Sequence, residues 1–326
     1  MSITSNLSAS AITALAPQPP QYEQSYHQWS QPEIDALTLA HAARRPLLVR
    51  GEPGIGKTQM ARAIAVVNDW MLHSVTIHPR FDPQHLIARM DALRRLADAQ
   101  AGSVKTDEHY WTPGPIWRAY DWQGAQPYLA HAAKPLGTAA APTGHAKGHV
   151  ILIDEIDKAD SDLPNSLLEL LGQRAFEFAP LKLSLGGPTA TLPLVIITTN
   201  EERELPAAFL RRCVVLNLAA TGNYADWLTA RGRAHYQHAA RKLNARVLQQ
   251  AAQQLVADRE AMEQQGLSPP GAAEYLDLLA AVHALAPAET ARQLDYLKQL
   301  SAYVFIKHGD TASPLQQNRP AFNSET

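Results

Sequence analysis

The sequence predicts an α/β protein: a parallel sheet covered by helices on both faces, followed by a small all-helical domain. Three observations predict it. A glycine-rich loop, Gly51-Glu52-Pro53-Gly54-Ile55-Gly56-Lys57-Thr58, stands between a short apolar strand at 45–50 and a helical stretch at 58–65. Further apolar runs at 73–77, 149–155, 194–200 and 213–218 are separated by helical spacing, the pattern of strands buried on both faces. From about residue 221 the β signal stops and only helical spacing remains.

The chain in order supports this. Residues 1–28 are rich in Ser, Ala, Pro and Gln, with Pro17, Pro19 and Pro20 close together, so a disordered or loosely packed arm is expected. A helix is expected at 32–43, where Pro32 suits a first turn and Ile34, Leu37 and Leu39 mark an apolar face. After the second strand, 86–96 is helical in pattern. Residues 101–148 are irregular and aromatic, with a mobile loop expected at 130–148; a connection this long signals a functional insertion. A helix follows at 163–171, a hairpin at 174–191 turning near Gly186-Gly187, and a short helix at 206–212. Segments near 224–240, 243–265, 272–285 and 290–307 are the expected helices of the second domain. The expected organisation is an arm at 1–28, an α/β domain at 29–220, a helical domain at 221–309 and a flexible tail at 310–326.

Composition narrows the function. The chain has 326 residues, 46% apolar and 18% charged, enough for two domains with a sizeable core. A net charge of −2 gives no electrostatic reason to expect nucleic-acid or membrane binding. The single cysteine, Cys213, excludes an intramolecular disulfide and a cysteine-built zinc site. The start lacks a basic leader pattern and no apolar run approaches about 18 residues, so a cytoplasmic protein is expected.

The chemistry begins at the glycine loop, which fits the Walker A pattern in the strand–loop–helix context that pattern requires. Glycines let backbone N–H groups crowd around phosphate oxygens, and a helix N-terminus adds positive potential. Gly51, Glu52, Pro53, Gly54, Ile55, Gly56, Lys57, Thr58 and Gln59 are the candidate nucleotide-contacting residues. Lys57 is expected to reach the β- and γ-phosphates of ATP and Thr58 to ligate Mg²⁺. The third strand ends in Asp154-Glu155, at the sheet edge where open α/β sheets bind ligands. Asp154 is expected to hold Mg²⁺, and Glu155 to orient and activate water. Asp157 and Asp160 serve equally well as caps of the next helix. Asn200 ends the fourth strand on the same edge, as a phosphate or water contact or as a plain turn residue. Arg211 and Arg212 close the short helix before the fifth strand. Either reaches a neighbouring subunit's γ-phosphate, or the two form a solvated pair at a helix C-terminus.

Taken together, Gly51 to Thr58, Ile151 to Asp157, Ile196 to Asn200 and Phe209-Leu210-Arg211-Arg212-Cys213 resemble an AAA+ ATPase. Tyr110 to Trp117, upstream of Asp154-Glu155, looks like the MoxR branch, which carries an insertion at this point. The runs at 153–160 and 198–206 resemble a MoxR-like subgroup linked to von Willebrand A-domain partners. The resemblance covers residues 32–307. It implies a five-stranded parallel sheet in a P-loop NTPase core, an α-helical lid, and a homo-oligomer, a hexameric ring with ATP between subunits. Asn200 matches the sensor 1 position, and Arg212, with Arg211 second, the arginine finger. The expected activity is hydrolysis of Mg-ATP to remodel or activate a protein client, with neither nucleic acid nor membrane as partner. One departure concerns the lid: the stretch 267–274, where many relatives carry a sensor 2 arginine, has none. The competing expectation is an ATP-dependent oligomerising switch with little turnover, in a signalling or defence system. A small-molecule P-loop kinase leaves Asp154-Glu155, Asn200 and Arg212 in their order unexplained.

Other residues are set aside. His73, His78 and His85 have no metal-ligand spacing and are expected at the surface or in packing. Trp111, Trp117 and Trp122 either form a partner patch or pack the core of the insertion. Cys213 is expected to be an inert buried thiol.

Overall fold

The strand before the glycine loop, Leu47–Arg50, is apolar until its last residue because it is buried between parallel neighbours on both sides. The computed structural model describes residues 3–17, 24–131, 147–159, 163, 164, 167, 175–186, 192–238, 241–287 and 289–305. The chain divides into two units, Met1–Arg50 with Lys57–Asn217, and Gly51–Gly56 with Leu218–Thr326.

The first unit opens with β1 (Ile12–Leu15) and β2 (Ser25–Gln28), paired antiparallel. This corrects the expectation of a loose arm. Leu15 and Trp29 are buried, and the Trp29 indole N–H donates to Thr13 Oγ1 at 2.9 Å. Helix α1 (Gln31–Ala43) starts at a capping box in which the Glu33 carboxylate accepts the Ser30 N–H at 2.7 Å. Then come β3 (Leu47–Arg50), α2 (Lys57–Asn68) and β4 (Met71–Thr76). The inserted stretch holds β5 (Ala88–Met90), α3 (Ala92–Gln100), β6 (Trp111–Pro113), α4 (Pro115–Tyr120) and α5 (Trp122–His131).

The helix expected at 86–96 is therefore a correction. Residues 88–90 form a strand paired with β6, and the helix starts only at Ala92, after Asp91, whose carboxylate caps the Arg94 N–H. Trp117 and Trp122 are buried and Trp111 packs against Phe178, so the tryptophans serve the core.

Beyond these lie β7 (His149–Asp154), β8 (Ala175–Phe178), β9 (Leu183–Gly186), β10 (Leu194–Thr199), the short α6 (Ala207–Leu210) and β11 (Val214–Asn217). The β8–β9 hairpin turns at 179–182, with Lys182 in the left-handed region, and not at Gly186-Gly187. Of the helix expected at 163–171, only 163, 164 and 167 are described, all helical. The loop expected at 130–148 falls mostly, and the tail at 310–326 wholly, outside the described residues.

The main sheet is five-stranded, in the order β11-β3-β10-β7-β4, and all its pairings are parallel. Its register aligns the C-terminal ends: Arg50 lies opposite Thr199 and Asn217, and Thr76 opposite Asp154. Leu48, Ile151, Ile153 and Ile197 are fully buried in its core together with Ile116, Trp117 and Phe209. At about 25 cal/mol per Å² such burial is the main stabilising force on the unit.

The second unit is helical: α7 (Tyr224–Tyr236), α8 (Ala245–Gln264), α9 (Ala272–Leu285) and α10 (Thr290–Phe305). A two-residue antiparallel pair, β12 (Gln237–His238) and β13 (Arg241–Lys242), ends α7 earlier than its spacing suggests. Leu228, Val247, Leu248, Tyr275, Leu279, Leu297 and Phe305 form the core. The buried Tyr275 hydroxyl is satisfied by the Leu248 carbonyl at 3.0 Å. Among the described residues no helix is long and apolar enough to cross a membrane.

Candidate functional site

The glycine loop links β3 to α2, and its backbone explains its composition. Gly54 (φ 76) and Gly56 (φ 112) lie in the left-handed region that favours glycine. At Gly54 space adds a second constraint: a Cβ would stand 2.7 Å from that of Ala273. Ile55 is buried, and its N–H reaches the Glu52 carbonyl at 3.3 Å. Glu52 is held by Arg259 of α8 through both carboxylate oxygens, at 2.6 and 3.0 Å. Arg259 also donates to the Pro270 carbonyl at 3.2 Å, pairs with Glu263 at 3.0 Å and lies over the Tyr224 ring. Sequence reading found no arginine at 267–274 and overlooked this one, which α8 supplies from further back.

In the α/β unit, α2 begins at Lys57. The Lys57 ammonium is buried and donates to Asn200 Oδ1 at 2.7 Å. Its pKa is lowered, chiefly by burial, against the opposing pull of Asp154, Asp157, Glu155 and Glu201. Next in the helix, the Thr58 hydroxyl lies 3.1 Å from each oxygen of Asp154. Asp154 accepts a further bond from the Thr198 hydroxyl, and that same hydroxyl accepts the Glu155 N–H at 3.0 Å. Thr198 thus ties the end of β10 to the carboxylate end of β7. It was missed from sequence, where it reads as one more strand residue.

Glu155 has left-handed backbone angles, φ 63 and ψ 49, a conformation that non-glycine residues hold only when their surroundings enforce it. Its carboxylate is paired with Lys158 at 2.9 Å. Asp157 is buried, and among the described residues it accepts N–H bonds from Asn200 and Glu202, across the sheet edge. Asp160 lies outside the described residues.

Lys57 is therefore bonded to Asn200, while Thr58, Asp154 and Glu155 are joined directly or through Thr198. Gln59 is engaged elsewhere, accepting from Arg62 at 2.9 Å. Arg211 and Arg212 are exposed, and among the described residues no hydrogen bond or ion pair links their side chains to the Lys57 cluster. The Arg211 carbonyl accepts from Arg45 at 3.4 Å. His73 is buried, not superficial, and its Nε2 lies 3.0 Å from His149 Nδ1 on the neighbouring strand.

Chemically, the cluster offers one buried ammonium for an anion, and a hydroxyl beside a carboxylate, the hard oxygen donors that suit Mg²⁺. Among the described residues no group of three His, Cys, Asp or Glu is placed to hold a metal by itself. The donor set fits a cation that takes its other ligands from phosphate and water.

A family model described as AAA domain (dynein-related subfamily) matches residues 46–213. No curated protein matches the chain. Two point mutants of Thermotoga maritima RuvB are among the similar solved structures. One has 15% identity, covers 84% of this chain and 71% of its own, and has a TM-score of 0.44. The other has 14% identity, covers 83% and 70%, and has a TM-score of 0.45. At those scores the likeness carries no weight beside the family match.

Proposed function

The chain belongs to the AAA domain family, dynein-related subfamily, and from that premise we propose that it is a MoxR-type ATPase that binds and hydrolyses Mg-ATP. The observation that carries this reading is the pair of contacts in which Lys57 meets Asn200 while the next residue, Thr58, meets Asp154. A cation and a metal-suited oxygen pair stand at consecutive residues of α2, directly after a glycine loop.

Bound Mg²⁺ would supply charge neutralisation on the phosphates, held by Thr58 and Asp154. The protein's own groups do the rest. Backbone N–H groups of Gly51 to Gly56 receive phosphate oxygens. Lys57 exchanges Asn200 for the β- and γ-phosphates. Glu155 accepts the proton of the attacking water, and Asn200 orients that water. Arg212, with Arg211 beside it, reaches the γ-phosphate of a neighbouring copy in a homo-oligomeric, hexameric ring; the exposure of both side chains suits a role in trans. The work is done on a protein client, and the long insertion between β4 and β7 supports the MoxR assignment, with its von Willebrand A-domain partners.

One observation favours the second reading, an ATP-dependent switch with little turnover. The Glu155 carboxylate is occupied by Lys158, so the candidate base must first be released. Phosphate release and sedimentation, measured together with Mg-ATP and with a non-hydrolysable analogue, decide between them. Assembly with steady turnover supports the ATPase, and assembly alone supports the switch. Lys57→Ala is expected to lose binding of a fluorescent ATP analogue; unchanged affinity would refute the site.

A further inference from the structure

Asp157 is 2% exposed and lies in the short turn Ile156–Lys158 that follows Glu155. One of its oxygens, Oδ2, accepts two backbone N–H groups, from Asn200 at 3.2 Å and from Glu202 at 3.0 Å. The other, Oδ1, has no hydrogen-bond partner among the described residues. Between the two anchored amides, Glu201 has φ 61, a left-handed conformation that a non-glycine residue keeps only under constraint. The Glu201 N–H turns back to Thr199 Oγ1 at 2.9 Å, and its side chain pairs with Arg50 at 3.3 Å. Three successive N–H groups, at 200, 201 and 202, are thus spent on side-chain oxygens. A carboxylate accepting backbone N–H groups makes charge-assisted bonds, stronger than neutral ones. Burial removes the water that would otherwise compete for those amides.

The constrained turn carries Asn200, whose side chain holds Lys57. The same two strand ends are already joined at Thr198, which bonds Asp154 and the Glu155 N–H. Asp157 adds a second tie one turn further out. We propose that Asp157 is a positioning residue, a buried clamp that sets the Asn200 amide and keeps it in register with Glu155. Its effect on turnover rests on the ATPase reading; the clamp itself does not.

Asp157→Ala and Asp157→Asn are compared with wild type by amide hydrogen exchange, affinity for a fluorescent ATP analogue, and phosphate release. With Asp157→Ala, exchange at Asn200 and Glu202 accelerates. Turnover falls about 10- to 100-fold, the usual cost of losing a group that orients a ligating or catalytic one. Affinity stays within about twofold, because the loop and Lys57 remain in place. Asp157→Asn retains one acceptor oxygen and gives intermediate values, and it serves as the test if the alanine variant does not fold. Unchanged exchange at both amides overturns the clamp. Faster exchange with wild-type turnover overturns the positioning role, since a purely structural tie would behave that way. If wild type itself shows no turnover, the ATPase reading fails, and exchange alone upholds or overturns the clamp.

Discussion

Arg259 and Glu52 form a two-point ion pair, Nη2 to Oε1 at 2.6 Å and Nη1 to Oε2 at 3.0 Å. Both belong to the unit made of Gly51–Gly56 and Leu218–Thr326. The second residue of the glycine loop is therefore held by α8. Glu52 is 54% exposed, so solvent weakens the pair despite its good geometry. A double-mutant cycle of Glu52→Ala and Arg259→Ala, read by thermal melts, should give a coupling of about 0.5–1 kcal/mol at low salt. The coupling should shrink as salt rises. Strict additivity of the two substitutions would dismiss the pair as a stabilising contact.

The pairing of Glu155 with Lys158 makes opposite predictions for the two residues. Glu155→Gln should keep nucleotide binding and lower phosphate release by about 10²- to 10⁴-fold, because an amide does not accept the water's proton. Lys158→Met frees the carboxylate and should raise turnover severalfold over wild type, or leave it unchanged if nucleotide already displaces the lysine. A fall on Lys158→Met would assign that ammonium a part in the reaction instead.

Arg212 is exposed just beyond the end of α6, and the proposed reading has it act on a neighbouring copy. Arg212→Ala should lower turnover by about 10³-fold with affinity retained. Mixing Arg212→Ala with Lys57→Ala subunits should restore some activity, since a mixed interface reunites an intact loop with an intact finger. No recovery at any mixing ratio would count against action in trans.

His73 supplies the pH dependence. It is 2% exposed, and its pKa is pushed down to about 3, first by burial and then by the neighbouring Arg118 and His149 charges. The unfolded chain takes up this proton near pH 6.5, so between about pH 6.5 and 3 it binds more protons than the folded chain. The neutral imidazole thus costs no stability above pH 6.5, and stability is lost progressively as pH falls through that window. The full loss is on the order of a few kcal/mol. His73→Asn should melt with a flatter acid slope than wild type, whatever its absolute stability. Identical slopes from pH 7 to 4 would rule out His73 as a source of acid lability.

The local patterns of this chain carried most of its architecture. The Gly51 to Thr58 loop, the strands Leu47–Arg50, His149–Asp154 and Leu194–Thr199, and the lid helices are readable because apolar runs and helical spacing are set by near neighbours. Reading failed where partners are distant. β1 and β2 are only four residues long and partly exposed, β2 is polar, and packing at Leu15 and Trp29 holds them as strands. β5 exists because β6 pairs with it, so a helix-like spacing lost to a ladder. The candidate site divides the same way. Lys57, Thr58, Asp154, Glu155 and Asn200 announce themselves by motif. That Thr198 joins the end of β10 to the carboxylate end of β7, that Asp157 clamps Asn200, and that Arg259 holds Glu52 were decided by tertiary structure alone. The order of parallel strands is set by crossovers and side-chain packing over the whole sheet, and no local pattern records which strand end will lie beside which.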